Sequence, residues 1–155
     1  IINLFCFMYL PKLNLPNVVL KTKLVEATTQ VFDVVRKKYF KLTAEEWVRQ
    51  HFIHYLNKDK NYPFGLMGVE QMIKYNNLKT RADIVLYNID GIPNMIVECK
   101  APNMNITQDT FDQIARYNFK LKVKYLVVTN GLQHFCCEMD YEKNQILFLK
   151  GIPNF

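Results

Sequence analysis

Short β-branched runs dominate the first part of the chain. Residues 18–25 and 30–35 are two such runs, and residues 26–29 between them predict a turn. Residues 37–42 continue the extended pattern. This part of the chain is therefore predicted to form a hairpin, or two short strands, followed by more extended chain.

A helix is predicted directly after these strands. From residue 44 to about residue 57, the apolar positions recur at the spacing of one helix face. Thr43 and Glu46, three residues apart, have the pattern of a capping box at its start. Residues 61–68, with Pro63 and two glycines, then predict a connection.

Several strands and one more helix follow. Strands are predicted at 69–75, 82–87, 95–99, 125–129 and 134–139, with an edge strand at 146–149. A helix capped by Thr107 is predicted over about 108–122, and one side of it carries Phe111, Ile114, Asn118 and Leu121. Because this helix separates two strands, it implies a right-handed parallel crossover. The sequence thus predicts an α/β fold with a mixed β-sheet flanked by α-helices.

Length and composition fit one domain. The chain has 155 residues, of which 50% are hydrophobic and 22% charged, as in globular proteins. Its longest apolar run, residues 1–10, is about half of the roughly 20 residues that a membrane span requires. This run lacks the basic start and cleavage site of a signal peptide, so we interpret it as a structured lead-in or an artefact. We expect a single domain over 1–155, in which 1–30 are a lead-in and a strand.

The cysteines point to a reducing compartment. No CxxC pair is present, and the adjacent Cys136 and Cys137 would point to opposite faces of a strand, where they cannot easily share a metal ion. We expect reduced, partly buried thiols in a cytoplasmic protein.

The basic charge permits a polyanionic partner without proving one. The net charge is +6, and residues 1–42 carry seven basic and two acidic residues. Basic side chains over phosphates release counterions, but a solvated surface explains the same excess equally well. The chain contains no Gly-x-x-x-x-Gly-Lys-Ser/Thr phosphate loop and no serine or cysteine nucleophile motif. It is therefore not expected to act alone as an ATP-driven motor.

The residues that suggest chemistry are Asp83, Glu98 and Lys100. A short turn makes their two strands neighbours, and alternation within a strand places Glu98 and Lys100 on the same face. Two carboxylates and an ammonium group would then meet at the end of a hairpin, and such oxygen ligands suit Mg²⁺. An exposed Glu–Lys pair is the simpler interpretation. The apolar residues on either side favour chemistry, because charges within such strands are usually paired or metal-bound.

These residues also carry a resemblance. Asp83 followed by Glu98-x-Lys100 resembles the signature of the PD-(D/E)xK nuclease superfamily, although Ala82 stands where that signature has proline. Residues 42–50 (LTAEEWVRQ) and 97–102 (VECKAP) resemble the N-terminal domain of type I restriction enzyme R subunits. The likeness extends over roughly residues 31–150 and also includes 81–84 (RADI), 112–118 (DQIARYN) and 127–131 (VVTNG).

The resemblance implies a restriction-endonuclease-like fold and Mg²⁺-dependent hydrolysis of DNA phosphodiesters, with Mn²⁺ as a substitute. It implies Asp83, Glu98 and Lys100 as the central catalytic residues, and Asp83, Glu98 and the backbone carbonyl of Cys99 as metal ligands. Gln113 and Tyr117 match a Gln-x-x-x-Tyr motif of nuclease branches. Because they are four residues apart, they share one helix face, where they would touch the catalytic edge or DNA, or form only a surface hydrogen bond.

The family pattern also has an acidic residue on the first helix. On a helical wheel Glu45 shares the stripe of the apolar residues, whereas Glu46 lies outside it and is explained by the capping box. We therefore select Glu45 as an auxiliary metal or water ligand, with Glu70 as a weaker rival. For Arg49, beside Glu45 on the wheel, a simple ion pair is the favoured interpretation over a contact with phosphate.

The histidines receive structural interpretations. His51 and His54 fall away from the apolar stripe of the first helix, so both are expected on the surface. His134 has no metal-ligand partner near it in sequence.

The prediction is a Mg²⁺-dependent endonuclease domain acting on DNA, with separate specificity, methylation or motor subunits left open. One alternative is a non-catalytic nucleic-acid-binding or assembly module on the same fold. The other is a structural protein with an incidental ion pair. The sequence does not separate DNA from RNA, or a monomer from an oligomer.

Overall fold

The computed structural model describes residues 10–155, apart from the side chain of Tyr117. The predicted lead-in at residues 1–10 thus lies almost wholly outside the described residues. The elements in chain order are β1 (Thr22–Val25), β2 (Thr28–Asp33), β3 (Lys38–Lys41), α1 (Ala44–Lys60), a 3-10 turn (Phe64–Leu66), β4 (Met67–Tyr75), β5 (Leu78–Tyr87), β6 (Pro93–Cys99), α2 (Gln108–Leu121), β7 (Tyr125–Thr129), β8 (His134–Asp140) and β9 (Gln145–Leu149). The mixed α/β fold predicted from the sequence is confirmed.

The first three strands form a small antiparallel sheet of their own, in the order β1-β2-β3. Its first turn contains only Glu26 and Ala27, both with positive φ, 46° and 61°. Two-residue hairpin loops favour this backbone, because its twist matches that of the strands. The hairpin expected at the start of the chain is confirmed.

The other six strands form the main sheet, in the order β4-β5-β6-β7-β8-β9. Every neighbouring pair is antiparallel except β6 and β7, which run parallel. Because α2 connects these two strands, the predicted parallel crossover is confirmed. A tight turn joins β5 to β6, so the strands that carry Asp83 and Glu98 are neighbours.

One helix packs against each face of the main sheet. The core on the first face includes Phe52 and Leu56 of α1, whereas the core on the second face includes Phe111 and Leu121 of α2. Cys136 belongs to the first core and Cys137 to the second, so the two thiols point to opposite faces as predicted. Among the described residues the cysteines are free and buried, and no helix is long and apolar enough to span a membrane.

Gly131, in the turn after β7, fits closely against the segment that precedes β1. Its φ is +82°, and an added Cβ would lie 2.7 Å from Cδ2 of Leu13 and 3.1 Å from Cγ2 of Val48. The backbone N–H of Asn14 donates to the Gly131 carbonyl at 2.8 Å. The glycine is therefore required for both its conformation and the close approach.

We expect Gly131→Ala to lower the free energy of unfolding by about 1–3 kcal/mol, because the methyl group both clashes and strains the backbone. Gly151→Ala is the matched control, since an added Cβ there meets nothing within 4 Å. Urea unfolding should place the control within about 0.5 kcal/mol of the wild type. Equal stability of the two variants would contradict the close packing of Gly131 against Leu13 and Val48.

Candidate active site

Asp83 lies on β5 and is held by two elements at once. Asp83 is buried, with 8% of the residue exposed. Oδ2 accepts a hydrogen bond from the backbone N–H of Cys99 on β6 at 2.7 Å, and Oδ1 accepts one from Nη2 of Arg49 on α1 at 2.7 Å. These bonds fix the carboxylate between the end of β6 and the start of α1.

Glu98 and Lys100 lie on one face at the end of β6, as their spacing predicts. Lys100 Nζ is 2.9 Å from Glu98 Oε1. Burial, and then the charge of Asp83, raise the pKa of Glu98 above its ordinary value. Burial alone would lower the pKa of Lys100, but its hydrogen bond and charge interaction with Glu98 raise it overall. The ammonium group therefore stays protonated beside two carboxylates.

Glu45, the auxiliary residue selected from the sequence, lies at the edge of the same cluster. Its side chain is 44% exposed, and Oε1 is 3.1 Å from Nη2 of Arg49. Burial, and then the nearby charge of Asp83, raise its pKa. The favoured ion pair between Arg49 and Glu45 is thus present. The predicted role of Glu45 as a metal or water ligand stays a prediction.

Arg49 joins the carboxylates of three elements. Its guanidinium is 6% exposed and forms ion pairs with four carboxylates, those of Glu45, Glu46, Glu70 and Asp83. Burial alone would lower its pKa, but the charges of Glu46 and Asp83 outweigh that effect and raise it. The sequence predicted one of these partners and missed the other three. The cluster thus gathers negative charge around a single buried cation.

The prediction for Glu46 is wrong in one respect. Its backbone N–H does donate a hydrogen bond to the hydroxyl oxygen of Thr43, but its own side chain is buried rather than outside the packed face. Its carboxylate binds Arg36, Arg49 and Gln50. The small sheet covers this side of α1, a contact that the periodicity of the helix alone does not reveal.

Arg36 belongs to the same network. Its Nε is 2.7 Å from Asp33 Oδ2 at the end of β2, and its Nη2 is 2.6 Å from Glu46 Oε1. Gln50 also donates to Asp33 at 2.8 Å. The small sheet is therefore connected to the candidate site through Asp33, Arg36, Glu46 and Arg49. Arg36, which Lys37 and Lys38 follow in the sequence, therefore forms ion pairs with carboxylates of its own chain.

The surface prediction is wrong for His51 and only partly right for His54. His51 is 8% exposed; its Nδ1 is 2.8 Å from the Trp47 carbonyl, and its ring packs edge-on against Trp47. His54 is half-buried against Phe64. Both lie on the part of α1 that the wheel left outside the main-sheet stripe. His134 bonds Thr129 and the backbone of Asn14, a structural arrangement.

Glu70, the weaker rival, also reaches the cluster. It lies on β4 with a φ of 55°, which is unusual for a residue with a side chain. Its carboxylate is 2.8 Å from Nη2 of Arg49 and 2.6 Å from Nε of Arg81. Glu45 on α1 and Glu70 on β4 thus contact the same nitrogen of Arg49, Nη2, as Asp83 does.

Gln113 lies on the exposed side of α2, and it lines a pocket together with Glu98. The side chain of Tyr117 lies outside the described residues, so the second half of the predicted motif stays a prediction. Asn118, predicted from the sequence only as a member of the α2 stripe, is buried in the same pocket. The only sign of Asn118 in the sequence was that a polar residue interrupts the apolar stripe of α2.

The donor chemistry of the cluster suits a hard divalent cation. Asp83 and Glu98 supply carboxylate oxygens, and Mg²⁺ takes one or two carboxylates, a carbonyl and waters. The pKa of Glu98 is raised first by burial and then by the negative charge of Asp83, and a bound cation would favour the ionised form of Glu98. Within residues 10–155, no group of three or more His, Cys, Asp or Glu side chains is arranged to hold a metal ion as it stands. Arg49 occupies Oδ1 of Asp83.

Comparison with known protein families shows which family the chain is related to. A family model described as the type I restriction enzyme R protein N terminus matches residues 44–153. The chain belongs to this family. The matched range contains the whole of the cluster around Arg49 and the pocket below α2, but not the small sheet.

A solved structure supports the fold. The fragment structure of a putative HsdR subunit of a type I restriction enzyme from Vibrio vulnificus YJ016 is similar to this chain, with a TM-score of 0.51 and 22% sequence identity. The likeness covers 73% of this chain but only 24% of that chain. A search of curated protein sequences finds no significant match.

Proposed function

We propose that this chain is a metal-dependent nuclease domain that hydrolyses DNA phosphodiester bonds. The observation that carries the proposal is the proximity of Asp83, in the middle of β5, to Glu98 and Lys100 at the end of the neighbouring β6, where the charge of Asp83 raises the pKa of both. This arrangement matches the Asp…Glu-x-Lys signature of the PD-(D/E)xK nucleases. Membership of the R-subunit family supports a role in DNA restriction. The partners we propose are DNA and the other subunits of a type I restriction enzyme.

The carboxylates of Asp83 and Glu98, with the Cys99 carbonyl, would hold Mg²⁺ or Mn²⁺. When bound, the metal ion would lower the pKa of a coordinated water and neutralise charge on the phosphate. The N–H of Cys99 holds Oδ2 of Asp83 at 2.7 Å, so this carboxylate is oriented in advance. Because Arg49 also binds Asp83, the guanidinium has to share Oδ1 or release it.

In this proposal Lys100 would stabilise negative charge on the phosphate during attack. Its ammonium group lies 2.9 Å from Glu98 and is 30% exposed, so it faces both the cluster and solvent. Glu45 is the auxiliary ligand of this proposal, and Gln113 would contact the DNA strand.

Conversion of supercoiled plasmid to nicked or linear DNA tests the proposal. The wild type should cleave with Mg²⁺ or Mn²⁺ and not with EDTA. We expect Asp83→Asn to reduce cleavage by more than about 100-fold, because a metal ion contributes several kcal/mol to the transition state. Asp59→Asn, at an exposed position near the end of α1, is the matched control and should cleave like the wild type. Cleavage that survives in Asp83→Asn would refute the assignment.

One observation favours the second candidate, a nucleic-acid-binding or assembly module without turnover. Arg49 neutralises the carboxylates internally, and the described residues form no ready-made metal cluster. Calorimetry separates the two functions. Binding of Mg²⁺ or Mn²⁺ that Asp83→Asn abolishes supports the nuclease, whereas no binding to the wild type supports the module.

A further inference from the structure

A pocket of about 340 Å³ lies beside Glu98, between α2 and the main sheet. Its apolar walls include Ile96 and Leu126 from the sheet and Ile114 and Leu121 from the helix. This volume is at the lower end of the range for small-molecule sites, so it suits a ligand no larger than one planar ring system.

Asn118 is the unexplained residue of this pocket. It is 3% exposed, and neither its Oδ1 nor its Nδ2 has a hydrogen-bond partner among the described residues. An unsatisfied buried polar group is costly, and this side chain contributes one acceptor and one amide donor group. Leucine, of nearly the same shape, would complete the apolar stripe without that cost. The amide therefore indicates a ligand that presents a donor beside an acceptor.

We propose that this pocket accepts a nucleobase of the bound nucleic acid strand, whose donor–acceptor edge pairs with the amide of Asn118. This inference rests on the proposed function, because Glu98 lines the pocket and also belongs to the candidate catalytic cluster. The pocket adjoins Glu98, so a nucleotide whose phosphate lies at Glu98 and Lys100 would have its base within reach of the pocket. Nucleobases combine a planar apolar face with an edge that an asparagine amide reads through two hydrogen bonds.

The surroundings of the pocket fit such a ligand. Gln113 and Arg81 line it together with Glu98, and the Arg81 side chain is 65% exposed. Arg81 thus offers a cation next to the base, while the apolar walls exclude water from the paired edge. Enzymes that hold an unstacked base use the same combination of apolar walls and edge-reading polar groups.

A short single-stranded oligonucleotide that contains 2-aminopurine tests the proposal by fluorescence titration in EDTA, where no metal-dependent cleavage occurs. Wild-type protein should change the emission of the probe on binding. Asn118→Leu should bind it roughly 5- to 100-fold more weakly, the size of one good amide–base contact, and should lose the emission change. The same variant should melt at a higher temperature, because the orphaned amide is gone. Asn105→Leu, at an exposed position before α2, is the control and should behave like the wild type.

A second variant keeps the test independent of any effect on folding. Ile114→Phe narrows the pocket and leaves the amide of Asn118 in the sequence, and it should also lose the emission change. An unchanged titration for both variants would overturn the pocket, as would a wild type that binds the probe without altering its emission. These outcomes are distinct from failure of the nuclease proposal. That failure would appear as missing metal binding and missing plasmid cleavage, while the base would still alter its emission.

Discussion

Lys100→Ala is expected to lose about 10²–10³-fold in plasmid cleavage while it keeps its affinity for Mg²⁺. The loss has the size expected when one group that stabilises transition-state charge is removed. Metal affinity should stay equal or increase, because the substitution removes a cation that lies 2.9 Å from Glu98. Stability should change little, since the Lys100 side chain is 30% exposed and such pairs contribute about 0–1 kcal/mol. Single-turnover cleavage, with calorimetry of Mg²⁺ binding, measures both quantities.

Lys124→Ala is the matched control for this prediction. Lys124 also forms an ion pair, 3.5 Å from Glu138, but it precedes β7 at the opposite end of the sheet. Its replacement should leave cleavage and metal binding unchanged. If Lys100→Ala instead lost metal affinity and cleavage in proportion, the lysine would act by shaping the metal site. If the variant cleaved normally, the assignment of Lys100 would be wrong.

The proximity of Asp83, Glu98 and Lys100 was predictable because it depends on local geometry. A tight turn between two runs of apolar residues makes the strands neighbours, and alternation along β6 puts Glu98 and Lys100 on one face. The choice of Glu45 rested on the periodicity of one helix, and the structure does bring its carboxylate to Arg49 and the field of Asp83.

The rest of the network could not be predicted, because it depends on contacts between distant parts of the chain. A helical wheel assumes one buried face, but α1 is covered on a second side as well, where Glu46 and Gln50 meet Arg36 and Asp33. The position of Glu70 beside Arg49 depends on an unusual backbone angle within β4. No pattern in the sequence indicates that angle.

Asn118 shows an intermediate case. Its place on the α2 stripe followed from the sequence, and a polar residue there is a local departure from the apolar pattern. Only the structure shows that neither polar atom of its amide has a hydrogen-bond partner within the described part of the chain, and that Asn118 lines the same pocket as Glu98. The sequence thus indicated that position 118 is unusual. The unpaired amide and the pocket become visible only once α2 is packed against the sheet.

Arg49→Met is expected to lower the free energy of unfolding by about 3–5 kcal/mol in EDTA. The substitution keeps an unbranched apolar stem but removes the cation shared by four carboxylates. Two of these, Glu46 and Asp83, are buried. Removal of one partner from a buried ion pair typically costs this much, because the remaining charges stay desolvated. Urea unfolding measures the loss. Arg81→Met is the matched control: it removes another arginine from Glu70, but that side chain is 65% exposed, so a loss below about 1 kcal/mol is expected.

Arg49→Met also tests whether a metal ion can take the place of the guanidinium among the carboxylates. Because Arg49 occupies Oδ1 of Asp83, its removal frees an oxygen for a metal ion while it increases the repulsion that the ion relieves. Excess Mg²⁺ should therefore stabilise Arg49→Met more than the wild type, by up to about 3 kcal/mol at a hundred times the dissociation constant, when compared with NaCl of equal ionic strength. A variant that is destabilised but does not respond to Mg²⁺ would show that the arginine serves only the packing of α1 against the sheet. A variant as stable as the wild type in EDTA would refute the charge cluster itself.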